Sequence, residues 1–158
     1  MAEPTYGVAD REVFATLGGL QLLEKMIAGE LPAPPIARTL GFTLAEVGEG
    51  RAVFEGSPSE ALLNPLGSVH GGWALTLIDS ATGCAVHTTL PAGTGYTTVE
   101  TKVNFTRRIP ADGGRVRCEG QVVSRGRQIA TAEARLLGAD GKLLAHGTST
   151  LIILPPRG

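Results

Sequence analysis

The sequence predicts an α+β fold in which one antiparallel sheet wraps a single long central helix, with a helical extension ahead of it. Three observations carry this. The stretch Trp73 to Leu90 places apolar or small residues on nearly every helical face, the mark of a helix buried inside its own domain. Segments with β-branched residues and period-two alternation flank it, two before and four after. Gly- and Pro-containing breaks separate these segments, and a sheet around one helix is the simplest packing of such parts.

Taken in order, residues 10 to 28 carry Leu20, Leu22, Leu23, Met26 and Ile27 on roughly one helical face. Gly18-Gly19 weakens the front of that pattern and Gly29 supplies a stop. The prolines of residues 31 to 37 predict an extended connector. Residues 1–34 are therefore expected to form a helical extension, and 35–158 the main domain. FTLAEV and RAVFEG, around Gly48-Glu49-Gly50, predict two short strands and a tight turn. A loop with a helical turn at Ser59 to Leu63 leads to the central helix, which Pro91-Ala92-Gly93 ends. Strands follow over Thr97 to Thr106, Gly114 to Val123, Gln128 to Leu137 and Lys142 to Leu154.

A length of 158 residues suits one domain, with 42% hydrophobic and 18% charged residues, an ordinary globular balance. A net charge of −1 gives no general field for nucleic acid or anionic lipid, and residues 1–34 hold five acids against Arg11 and Lys25, which argues against a DNA-reading arm. Phosphate recognition must be local. Cys84 and Cys118 have no CxxC spacing and no histidine cluster nearby, so neither a metal nor another cofactor is expected. The first seven residues do not resemble a secretory signal, and no apolar run nears the ~20 residues of a membrane span. The expectation is a cytoplasmic protein with reduced thiols.

The chemically informative stretch runs from Asn64 to Asp79. Gly71 and Gly72, at a loop-to-helix junction, bring bare N–H groups to a helix N-terminus, where unpaired donors and the dipole favour negative charge. A carbonyl oxygen bound there is stabilised as it becomes an oxyanion. Asp79 is the only acid between Glu60 and Glu100, and a carboxylate in an apolar helix is costly without a partner or a task. The two positions are eight residues apart, roughly 12 Å along one helix at ~1.5 Å per residue. One subunit cannot bring both to one carbonyl, whereas two antiparallel helices in a two-fold dimer form two composite sites.

Three segments together resemble the hotdog-fold acyl-CoA thioesterases, in the branch with the phenylacetate-pathway enzymes and 4-hydroxybenzoyl-CoA thioesterase. They are N-x5-HGG-x6-D in Asn64 to Asp79, TVETKVNFTRRIP at 98 to 110, and GRQIATAEARLLGADGKLLAHGTSTLII at 126 to 153. The resemblance covers Gly41 to Leu154, about three quarters of the chain. It implies that Asp79 attacks the thioester carbon or activates water, and that Gly71 N–H holds the oxyanion. It implies a side-chain amide role for Asn64, a loop-shaping and polarising role for His70, and a water-orienting hydroxyl at Thr98, or Thr97 if the register slips by one. Gly72 is expected at the substrate, Trp73 either lines an acyl pocket or packs in the core, and Arg127, Arg107 and Arg108 are candidates for coenzyme A phosphates through forked hydrogen bonds. Relatives commonly pair dimers into tetramers. His87, His146 and Cys84 read as structural.

Two other readings compete. A hotdog hydratase or dehydratase would use His70 and Asp79 on an enoyl or hydroxyacyl thioester, although nine residues along one chain makes them awkward partners. A non-catalytic acyl-CoA-binding module would lack an output domain.

Overall fold

The computed structural model describes residues 4–156; Met1 to Glu3 of the expected extension lie outside the described residues. The helical segment is two helices, α1 (Arg11–Thr16) and α2 (Gly19–Ile27), where the pattern over 10 to 28 predicts one. The break falls at Leu17, whose extended backbone (φ −104°, ψ 136°) ends α1 beside Gly18. After α2, Gly29 takes φ 76°, the left-handed conformation that favours glycine and stops a helix. The expected connector is shorter than 31–37, because α3 (Pro35–Leu40) begins inside it. Pro35 at the helix start loses nothing by lacking an N–H, and its fixed φ suits the first turn.

β1 (Phe42–Gly48) and β2 (Arg51–Gly56) form the predicted hairpin. One short 3₁₀ turn, Glu60–Leu62, precedes the central helix α4 (Gly71–His87). β3 (Gly95–Phe105), β4 (Val116–Arg125), β5 (Ile129–Leu137) and β6 (Leu143–Leu154) complete one antiparallel sheet in the order β1-β2-β4-β5-β6-β3. This is the hotdog arrangement. The sheet curls around α4 and buries Leu77, Ile78, Ala81, Ala85 and Val86 completely. The approach is close enough that a Cβ at Gly120 of β4 would stand 2.3 Å from the Ala81 carbonyl oxygen.

Two features position the site. α4 runs antiparallel to β3, so its Gly71 end lies by Phe105 and its Gly83 by Tyr96. A β-bulge between Thr98 and Glu100 then interrupts β3, with Val99 51% exposed. The extra residue switches which positions face α4, from even numbers before it to odd numbers after it.

Candidate active site

His70 caps α4: its Nδ1 accepts the Gly72 N–H at 2.8 Å, and its carbonyl accepts from Trp73 N at 3.0 Å. Nδ1 is therefore the acceptor nitrogen of this imidazole, and Gly72 is committed to the cap. Gly71 N–H, one donor earlier, has no partner among the described residues. It opens on a surface cleft of about 340 Å³ with Ser68, Phe105, Thr106, Arg107 and Arg108. A helix N-terminus and two guanidinium groups make this cleft favourable for negative charge. Arg108 also holds the loop by donating to the Gly67 carbonyl.

Asn64 builds that loop. Its Oδ1 accepts from Leu66 N at 2.9 Å and Ser68 N at 3.2 Å, and its Nδ2 donates to Ser68 Oγ at 3.1 Å. The amide thus shapes an Asx turn beneath the helix start. Trp73 is 3% exposed, packs in the core and donates from Nε1 to the Leu40 carbonyl at 2.7 Å. Arg127 is exposed in the turn between β4 and β5, at the end of the sheet where Ile129, Ile152 and Thr97 align. Arg107 follows Phe105 at the other end, about 26 Å away at ~3.3 Å per residue. One chain does not bring Arg127 to the cleft of Arg107 and Arg108.

Asp79 is half-buried on α4, and Thr101 Oγ1 donates to its Oδ1 at 3.2 Å. Thr98 makes no hydrogen bond to Asp79 among the described residues. Thr98 faces α4 before the bulge, and the bulge at Val99 turns Thr101 inward where unbroken alternation would turn Glu100. Strict alternation in the sequence hides such a shift. Thr101 Oγ lies 2.9 Å from Ser149 Oγ, which lies 2.8 Å from Thr82 Oγ1; Thr82 also reaches the Ile78 carbonyl at 2.9 Å. Each hydroxyl has one proton to give. With Thr101 donating to Asp79, the two hydroxyl–hydroxyl bonds are both made only as Thr82 to Ser149 to Thr101, which takes the Thr82 proton away from the Ile78 carbonyl. A chain of three hydroxyls, two of them in the core, points its protons at the carboxylate.

Beyond Asp79 along α4 stand Cys84 and, from β3, Tyr96. Burial pushes the Cys84 thiol up to about 12, and the nearby Asp79 charge adds to it; burial also raises the Tyr96 phenol well above its usual range. Burial lowers the His87 imidazole below 6.5. Among the described residues no group of three or more His, Cys, Asp or Glu converges as a metal ion requires, and no helix is long and apolar enough to cross a membrane.

Comparison with known proteins agrees with this architecture. The thioesterase superfamily profile matches residues 66–145. The chain is 30% identical to acyl-coenzyme A thioesterase 13 of Homo sapiens over 133 residues, 82% of this chain and 93% of that one. A phenylacetic acid degradation-related protein of Ralstonia eutropha superposes with a TM-score of 0.75 at 32% identity, covering 82% of this chain and 98% of the other. A thioesterase family protein of Silicibacter pomeroyi gives 0.74 at 30% identity, covering 87% and 99%. With the central helix, its glycine start and its carboxylate in the matched region, the chain belongs to the thioesterase superfamily and is a thioester hydrolase.

Proposed function

We propose that this protein hydrolyses an acyl-CoA thioester to a free acid and coenzyme A, at a site that takes Asp79 from one subunit and Gly71 N–H from another. The observation that carries the reading is the placement of both residues on α4, eight positions apart. At ~1.5 Å per residue they are roughly 12 Å from one another, too far to act on one carbonyl. An antiparallel second helix supplies the missing half. The edge strand β3 supports such pairing: it is 11 residues long, exposes Val99 and Phe105, and has only β6 beside it. The resemblance extends this to a pair of dimers.

In this reading Asp79 attacks the thioester carbon, or takes a proton from a water that does. The carbonyl electrons move onto oxygen, and the partner's Gly71 N–H donates a hydrogen bond to the oxyanion that forms. Collapse of the tetrahedral species expels coenzyme A as thiolate. If Asp79 was the nucleophile, water then cleaves the resulting anhydride. Thr101 holds the carboxylate, while Asn64 and His70 hold the loop so that Gly71 stays available. Thr98 is left as a candidate to orient water. Arg107 and Arg108 face the phosphates of coenzyme A, and Arg127 joins them only from a neighbouring chain. The free thiols Cys84 and Cys118 fit a cytoplasmic setting, and residues 1–34 serve as an extension to the domain of 35–158.

The human relative's name supports acyl-CoA as the substrate class. Asp79→Ala is expected to lower the rate of thiol release from acyl-CoA esters by at least ~100-fold. Unaltered turnover would reject the assignment.

A further inference from the structure

A large cavity among the described residues lies further along α4 than Asp79, away from the Gly71 cleft, and nothing in the reaction above uses it. It measures about 760 Å³ and opens between α2, α3, the β1-β2 hairpin and the C-terminal half of α4. One wall is the apolar stripe of α2: Leu22, Leu23, Met26 and Ile27. Leu22 and Leu23 are buried, but Ile27 is 42% exposed, so this face is wider than the protein itself covers. The other wall includes Phe54, Cys84, His87 and Tyr96. Cys84 lies five residues after Asp79 on α4, so the cavity begins little more than one helical turn beyond the carboxylate. Gly83, one turn after Asp79 on the same stripe of α4, leaves room there: a Cβ would press the Tyr96 hydroxyl at 2.9 Å.

We propose that this cavity is the acyl subsite and that it takes a straight aliphatic chain, with α2 as the wall that sets chain length. The proposal rests on the thioesterase reading for the identity of the occupant. Among the described residues no Lys, Arg, Asp or Glu lines the cavity, so its lining suits the hydrocarbon end of an acyl-CoA and not the phosphates. A volume within the roughly 300–1,000 Å³ range of ligand pockets is far more than one aromatic ring fills, and unfilled apolar space forfeits dispersion contacts. A flexible chain fills it along the length of α2.

The test is a thiol-release series over straight-chain CoA esters from butanoyl to hexadecanoyl, with phenylacetyl-CoA alongside. Wild type is expected to gain about fourfold in kcat/KM per added methylene until the cavity is full. Met26→Trp, which fills the cavity, should cut the longer esters at least tenfold and leave butanoyl-CoA within twofold. Ile27→Trp, at an exposed position, repeats the test should Met26→Trp not fold. A preference for phenylacetyl-CoA over every longer chain, or an equal effect of both folded variants on all chain lengths, overturns the proposal. Calorimetric binding of decanoate separates the two readings. If no CoA ester is cleaved, yet decanoate binds wild type and not Met26→Trp, the subsite stands and the catalytic reading falls; if decanoate does not bind wild type, the subsite falls.

Discussion

Asp79 is held by Thr101, and the hydroxyls of Ser149 and Thr82 behind it turn that contact into an ordered chain. A hydrogen bond to a charged group is commonly worth ~1.5–3 kcal/mol, so removing it should blunt catalysis without abolishing it. Thr101→Val is expected to lower kcat about tenfold with little change in KM, and Thr101→Ser to restore most of it; equal activity in all three proteins would dismiss the positioning role. His87 makes a separate prediction. It lies between the rings of Phe14 (6.2 Å) and Tyr96 (5.5 Å), and burial holds its folded pKa below the value of 6.5 it has when exposed. The unfolded chain then binds the proton more readily than the folded one, so this contribution is complete above about 6.5 and is lost as pH falls below it. Melting temperature should drop between about pH 7 and about pH 5, and His87→Gln should flatten that slope. A slope identical in both proteins would show that His87 is not its source.

Among the elements, the contact between α4 and β4 is the tightest constraint on the curl of the sheet. It depends on Gly120, where any side chain meets the backbone of Ala81 and not a movable group. Gly120→Ala should destabilise the protein by about 1–3 kcal/mol in denaturant unfolding, as overpacking does. Gly48→Ala is the control, since nothing stands within 4 Å of a Cβ there. Loss of stability in both, or in neither, would contradict this account. On the outer face of the same strands Arg51 bridges Glu46 and Glu119, and Arg117 also reaches Glu46; these partners hold the exposed Glu46 carboxyl at about 2. Such exposed pairs fix strand register more than they add stability.

At the scale of the whole molecule, the proposed site makes activity a property of an assembly, and the separation of Gly71 from Asp79 on α4 is what the test addresses. Gly71→Pro deletes the donor with the backbone kept, because proline suits the first position of a helix and His70 already has the extended backbone (φ −61°, ψ 134°) that precedes proline well; a Cβ there meets the exposed Phe105 ring at 3.0 Å, which must shift by a few tenths of an ångström. Gly71→Pro and Asp79→Ala proteins should each be nearly inactive. Co-assembled in equal amounts, half the dimers are mixed and each of these holds one intact site, so about a quarter of wild-type activity should return. No recovery in verified mixed dimers would place both groups in one chain's site.

The order of elements, the buried helix and the residues from Asn64 to Asp79 were legible in the sequence because they depend on local pattern: period, breaks and a lone acid in an apolar run. The eight-residue separation of Gly71 and Asp79 on one helix was legible too, since helical rise is the same in every protein, and the proposal of a two-chain site follows from it. What depended on tertiary structure was of another kind. The bulge at Val99 puts Thr101 beside Asp79 where unbroken alternation would turn Glu100 inward, and a bulge is settled by how a strand must bend to follow its neighbours. Trp73 goes to the core and Arg127 to the far end of the sheet because packing and strand order, not proximity in the chain, decide what reaches a site. The cavity beyond Asp79 is lined from α2, α3, the β1-β2 hairpin, α4 and β3, which fail to close completely against one another, and no single segment carries a sign of it.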